Sequence, residues 1–240
     1  MPVVLVHGVP DTHRVWRALI ERLRRNDVVT LSLPGFGAAI PEGFDCTKEA
    51  YSGWLLEELR RIPGPIDLVG HDWGGLLTVR AVSLEPLLVR TWAAGAAPLD
   101  PEYEWHKAAK IWQTPSVGEQ MMEKLTPEAL ASGLVAAGVP PADATVTAQH
   151  ADATMKRSIL ALYRSAVTVG LEWVDDLRRV QAPGLLLWGQ KDPYAAPVFG
   201  SRLAGRTRAR FVEFPGCSHW WQLERAADVA RELETFWEAA

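Results

Sequence analysis

The run Gly70-His71-Asp72-Trp73-Gly74-Gly75 constrains this chain more than any other feature. An apolar stretch, Ile66-Asp67-Leu68-Val69, precedes it, and an apolar segment from Leu76 to Leu84 follows. Small residues around one reactive side chain, set between a strand and a helix, form a nucleophile elbow. The turn is too tight for side chains at the flanking positions, hence the glycines. The reactive position holds Asp72. A carboxylate attacking an ester or amide would form a mixed anhydride, a poor intermediate. Displacing a leaving group from saturated carbon instead forms a stable ester that water can hydrolyse. Asp72 therefore points to opening of an epoxide or displacement of a halide, and away from peptidase or esterase chemistry.

The rest of the chain supplies a frame for such an elbow. Short apolar runs at Val3–His7, Val28–Leu33, Ile66–Gly70, Val89–Ala94, Gly184–Trp188 and Ala209–Phe214 read as strands buried on both faces of a parallel sheet. Helical patterns at Thr12–Arg25, Thr47–Arg61, Gly74–Glu85, Ala196–Ala204 and Gln222–Glu238 alternate with them. That alternation predicts right-handed βαβ units and a doubly wound α/β sheet. It breaks after Ala94, and 98–179 reads as mostly helical, with loop signals such as Gly138-Val139-Pro140-Pro141. The division expected is a core of 1–97 and 180–240 with a helical cap of 98–179 inserted between two core strands. Ligands bind at the carboxyl ends of strands in open parallel sheets, so the cap should cover Asp72.

Composition narrows the partners. The chain has 240 residues, 48% apolar and 22% charged, with a net charge of −4. No basic surface for nucleic acid or anionic membrane is indicated. The N-terminus leads straight into Pro2-Val3-Val4-Leu5-Val6, too short a run for a signal or a membrane span. The two cysteines make no disulfide framework, and no metal-ligand spacing occurs. A cytoplasmic location, no cofactor, no metal, and a small neutral apolar substrate with water are the expectations. Eleven tryptophans in a chain of this size suggest an aromatic pocket.

Taken together, these residues resemble the α/β-hydrolase superfamily, in the branch of epoxide hydrolases and haloalkane dehalogenases. The likeness rests on His7-Gly8-Val9-Pro10 with Trp16 beyond it, Leu33-Pro34-Gly35-Phe36-Gly37, the elbow, Trp188-Gly189-Gln190-Lys191-Asp192-Pro193 and Gly216-Cys217-Ser218-His219. Their order is nucleophile, lid, acid, histidine. Relatives usually carry one or two antiparallel strands before the HG-x-P strand. This sequence starts almost on that strand, so a mostly parallel sheet truncated at its N-terminal edge is expected.

The resemblance implies roles for individual residues. His219 is the base that activates water against the ester on Asp72, and histidine titrates near neutrality. Asp192 orients His219, with Asp100 a lower-ranked alternative for the acid. The backbone N–H groups of Val9 and Trp73 form an oxyanion hole, and Pro10 is a candidate for a cis bond. Tyr163, in a Tyr163-Arg164 pair, donates to the alkoxide of an opened epoxide. Tyr103 and His106 are the candidates for a second donor, while Ala108 in the same stretch lacks one. A halide would need two N–H donors: Trp73, with Trp105 or Trp112 replacing the side-chain donor that Val9 lacks. Trp73, Tyr103, Trp105, His106 and Trp112 are thus the expected substrate contacts. Trp73 stands where relatives acting on anionic haloacids carry arginine. Epoxide hydrolysis to a vicinal diol is the leading expectation and haloalkane dehalogenation the alternative. A non-catalytic ligand-binding protein on the same fold is the third.

Overall fold

A computed structural model describes residues 1–240. Six strands form one sheet, β1 (Val3–Val6), β2 (Val28–Leu31), β3 (Asp67–His71), β4 (Thr91–Gly95), β5 (Gly184–Gly189) and β6 (Arg210–Phe214). Their order is β2-β1-β3-β4-β5-β6, and every neighbouring pair is parallel. Where a mostly parallel sheet was expected, the sheet is parallel throughout. The four inner strands are buried along their whole length, while β2 and β6 at the edges are partly exposed.

Side chains alternate across the sheet with period two. Val4, Val6, Leu68, Ala94 and Leu186 enter one apolar core. Val3, Leu5, Val69, Ala93, Leu185 and Leu187 enter the other. The first core is closed by α2 (Lys48–Arg61), α3 (Trp73–Leu84) and α10 (Pro197–Thr207). The second is closed by α1 (Arg17–Ile20), α11 (Trp221–Glu224) and α12 (Ala226–Ala239). Near-continuous apolar strands follow from this double cover.

Two helices differ from the sequence reading. The expected helix Thr12–Arg25 is a 3₁₀ turn at His13–Trp16 followed by α1, which stops at Ile20. Beyond it the Arg24 amide donates to Glu234 Oε1 of α12 at 2.9 Å, so a side chain replaces the helical acceptor. The expected helix Gln222–Glu238 breaks at Arg225, whose φ of −130° is not helical. Its guanidinium reaches forward to Asp228.

Between β4 and β5 the chain is helical. It holds α4 (Lys107–Gln113), α5 (Val117–Lys124), α6 (Pro127–Ala136), α7 (Pro141–His150), α8 (Ala153–Ser165) and α9 (Val169–Trp173), then a 3₁₀ turn at Val174–Arg179. Side chains on helix N-terminal residues hold several of these in register. Thr126 caps α6 and Asp152 caps α8, each taking an amide of the first turn. The insertion is tied to the core at two ends: Lys48 of α2 pairs with Glu172 at 2.8 Å, and Ser218 Oγ donates to the Ala137 carbonyl. No helix is long and apolar enough to cross a membrane.

Candidate active site

Asp72 sits between β3 and α3 with φ 54° and ψ −120°. A positive φ is strained for a residue with a Cβ, and it is what lifts the side chain off the sheet edge. The neighbours make room for it. A Cβ at Gly70 would collide with the Gly74 carbonyl, one at Gly74 with the Val6 carbonyl, and one at Gly8 with Asp72 itself. The Asp72 amide donates to Gly95 O at 2.9 Å, which ties the elbow to the end of β4.

The Asp72 carboxylate has two differently employed oxygens. Oδ1 accepts the Val9 amide at 2.7 Å. Oδ2 faces His219 Nε2 at 3.7 Å, beyond hydrogen-bond length. His219 Nδ1 lies 2.8 Å from Asp192 Oδ2. A carboxylate can only accept, so Nδ1 carries the proton and Nε2 presents its lone pair toward Asp72 when the ring is neutral. Asp192 Oδ1 accepts the amides of Tyr194 and Ala195 at 2.8 and 2.9 Å. Asp72, Asp192 and His219 therefore meet at the carboxyl ends of β3, β5 and β6.

Burial and charge shape their titration. Burial raises the Asp72 carboxyl above its ordinary range against the pull of His219 and of the Val9 and Trp73 amides. Burial works against a charged His219, yet the Asp192 carboxylate, and then Asp72, hold its pKa above the usual value. His71 braces this ring from below. Its Nε2–H donates to the His219 carbonyl at 3.0 Å, and the two rings meet edge to face at 4.7 Å. Burial keeps His71 neutral by lowering its pKa well below 6.5.

A cavity of about 310 Å³ opens above Asp72 and His219. Val9, His106, Tyr163 and Tyr194 line its reactive end. Tyr163, on α8, is 2% exposed, and burial followed by the Asp72 charge raises its pKa well above 10. It therefore keeps its proton at neutral pH. His106 caps α4: its Nδ1 accepts the Ala109 amide at 3.2 Å. Burial, then His219, lowers its pKa to about 4. A neutral ring accepting at Nδ1 carries its proton on Nε2, so His106 is a donor. Ala108 lines the cavity beside it.

Other expected contacts fall elsewhere. Tyr103 and Trp105 do not line the cavity. The Tyr103 hydroxyl donates to Tyr194 O at 3.0 Å and the Trp105 indole to Ala166 O at 3.1 Å, so both polar tips are committed to backbone. Trp73 is fully buried and stacks on Trp105 at 5.9 Å, out of the cavity wall. Trp112 does line it, and the indole nitrogens of Trp73 and Trp112 are both buried without a protein partner. Asp100 faces away, held by Arg202 and Arg206 and by the Glu102 amide. The Val9–Pro10 bond is cis.

Two neighbours went unread in the sequence. Tyr194 lies two residues after Asp192 and packs its ring on His219 at 5.0 Å and His106 at 4.9 Å. Asp11 follows the HG-x-P segment and is 2% exposed. It accepts the Trp220 indole at 2.9 Å and the Thr147 hydroxyl at 3.4 Å. Burial raises its pKa to about 7, with the Trp220 bond opposing and the Asp72 charge adding. A carboxylic residue next to that motif was the available signal.

Comparison with known proteins agrees with this geometry at the level of fold. The sequence pattern of the alpha/beta hydrolase family matches residues 3–232. Epoxide hydrolase 3 of Xenopus tropicalis is 23% identical over 98% of the chain and 70% of its own length. Haloalkane dehalogenase of Psychrobacter cryohalolentis is 30% identical over 47% of the chain and 39% of its own length. An (E)-2-((N-methylformamido)methylene)succinate hydrolase of Acinetobacter baylyi is 31% identical over 38% of the chain. The chain spans 36% of that last relative. Among solved structures, an esterase from Thermogutta terrifontis superposes with a TM-score of 0.80 at 21% identity, covering 100% of this chain and 90% of that one. The enol-lactonase from Burkholderia xenovorans LB400 gives 0.80 at 19%, covering 99% and 91%.

Proposed function

Because the chain belongs to the alpha/beta hydrolase family, its site is read as hydrolytic, and we propose that it opens epoxides to vicinal diols. The observation that carries this is a carboxylate at the elbow with two neutral proton donors, Tyr163 and His106, on the opposite wall of one cavity. Asp72 Oδ2 attacks a ring carbon and the carbon–oxygen bond breaks. The departing oxygen takes the Tyr163 proton while the His106 Nε2–H steadies it, and solvent later restores the phenol. Water then loses a proton to His219 Nε2 and adds to the ester carbonyl carbon. The oxygen that becomes negative is Oδ1, already on the Val9 amide. Collapse breaks the bond to the ester oxygen, which takes the proton back from His219 and leaves in the diol, and Asp72 returns as a carboxylate.

Alkylation also removes the Asp72 charge. One of the carboxylates that hold His219 above its usual pKa is then gone, which shifts the histidine toward its neutral form at the step that needs a base. The insertion, taken as 98–179, acts as the lid that brings the donors.

Dehalogenation is the second reading, favoured by the unpartnered indole nitrogen of Trp112 in the cavity lining. A panel of styrene-oxide-like epoxides and bromoalkanes, assayed for diol and for halide, separates the two. Halide from bromoalkanes with no diol from epoxides overturns the epoxide reading. No product from either panel favours a binding protein.

A further inference from the structure

We infer that the electrophile is carried on an unbranched aliphatic chain of about eight carbons, laid along α8; this rests on the hydrolytic reading of the site above. Tyr163, Ile159 and Lys156 all line the cavity, and they recur at spacings of four and three along one face of α8. The seven steps from Lys156 to Tyr163 span about 10 Å of helix axis. The cavity thus runs two helical turns away from the reactive end.

Its walls change character along the way. Histidines, tyrosines and tryptophans surround Asp72. Away from them, Met121, Met122, Leu125, Leu130 and Ile159 supply aliphatic walls. The methionines are unbranched and adjust to a flexible partner. Lys156 brings the only formal charge into this stretch, and its ammonium is bonded to the Leu125 carbonyl at 2.7 Å. The Asp72 end supplies every other ionisable side chain of the lining. An extended chain advances about 1.2 Å per bond, judged from the span of extended backbone, so eight carbons fill about 10 Å. Ala129 and Gly133 of α6 line the cavity and are also exposed to solvent, which marks its mouth.

The test is a homologous series with the wild-type protein. From 1,2-epoxybutane to 1,2-epoxyoctane, kcat/KM should rise about threefold to fourfold per methylene, about 100-fold in all, and level off beyond 1,2-epoxydecane. Styrene oxide should fall below 1,2-epoxyoctane. Binding of 1,2-butanediol through 1,2-octanediol, read by tryptophan fluorescence, should tighten along the series without any turnover. In Met121→Trp, on the half-exposed side of the groove, and Ile159→Phe, the ratio of octyl to ethyl epoxide kcat/KM should drop at least tenfold. Turnover with no chain-length dependence, or fastest on styrene oxide, overturns the inference. Diols that tighten with length while no epoxide reacts leave the chain groove standing and remove the epoxide reading. Absence of both turnover and graded diol binding removes the groove.

Discussion

The two halves of the site are held in different ways. Below the cavity, Asp72, Asp192 and His219 sit at strand ends: the Val9 amide holds Asp72, two amides hold Asp192, and Asp192 in turn holds the His219 ring. Above it, Tyr163 on α8 is positioned by other side chains, while His106 is held at the start of α4 by the Ala109 amide. Tyr163 touches the rings of Trp73, Trp105 and Trp112 at 5.6, 5.2 and 4.8 Å. A backbone-held group keeps its place whatever surrounds it. A group held by packing depends on every neighbour, so its role is set by the whole cage.

That contrast predicts opposite failures on the two sides. His219→Gln removes the base from the lower half and should cut turnover by about 10⁴-fold or more. Alkylation should survive, so intact-protein mass spectrometry after substrate addition should find the ester on Asp72. An inactive variant without adduct, on a substrate the wild type turns over, would break the two-step scheme.

Tyr163→Phe acts on the upper half. Ring opening should slow by about 10²–10⁴-fold. Here no adduct should build up in single-turnover experiments, because formation of the ester is the impaired step. Full epoxide activity in this variant would reduce Tyr163 to a packing residue and erase the functional difference between the halves.

Asp11 joins the halves, bonded to Trp220 below and Thr147 above. Its carboxyl is raised from 3.8 to about 7, so between those values the folded chain binds a proton that the unfolded chain lacks. The stabilisation is complete below about 3.8 and is lost as pH rises through about 7. Asp11→Asn keeps an acceptor for the indole without the charge. Its melting temperature should exceed the wild type's at pH 8, by roughly 2–4 °C for each kcal/mol recovered, and the gap should narrow to less than half at pH 5. An unchanged gap at both values would mean that Asp11 does not titrate in this range.

The smallest effect is expected at Trp105, whose indole is committed to Ala166 O. Trp105→Phe should cost about 1 kcal/mol in denaturant unfolding and leave halide or diol release within about twofold. A large loss of halide release would show that this indole serves the leaving group after all.

How much of this was legible follows the same line. The elbow, the HG-x-P turn and the two loops after β5 and β6 each carry their signal within a few adjacent residues. Their roles depend on local backbone, so the strand and loop that bear Asp72, Asp192 and His219 could be read directly. In the α4–α9 region only the Tyr163-Arg164 pair carried such a signal. Tyr103, Trp105 and His106 lie within four positions of one another, yet only His106 reaches the cavity. Which of the three does so depends on where His106 caps α4 and where the Trp105 indole finds a carbonyl. Helix ends erred for a related reason: α1 stops where Glu234, 210 positions away from Arg24, takes its amide.

Sequence alone determined the alternation of strand and helix, the parallel sheet and the carboxylate at its strained turn. Each of those rests on periodicity or on the steric demands of neighbouring residues. Only the tertiary structure decided which aromatic side chains face the cavity, that Asp100 is bound to arginines while Asp192 meets His219, and that Asp11 is buried beside the site. Those outcomes depend on contacts between residues far apart in the chain, and no local pattern encodes which buried polar group finds which partner.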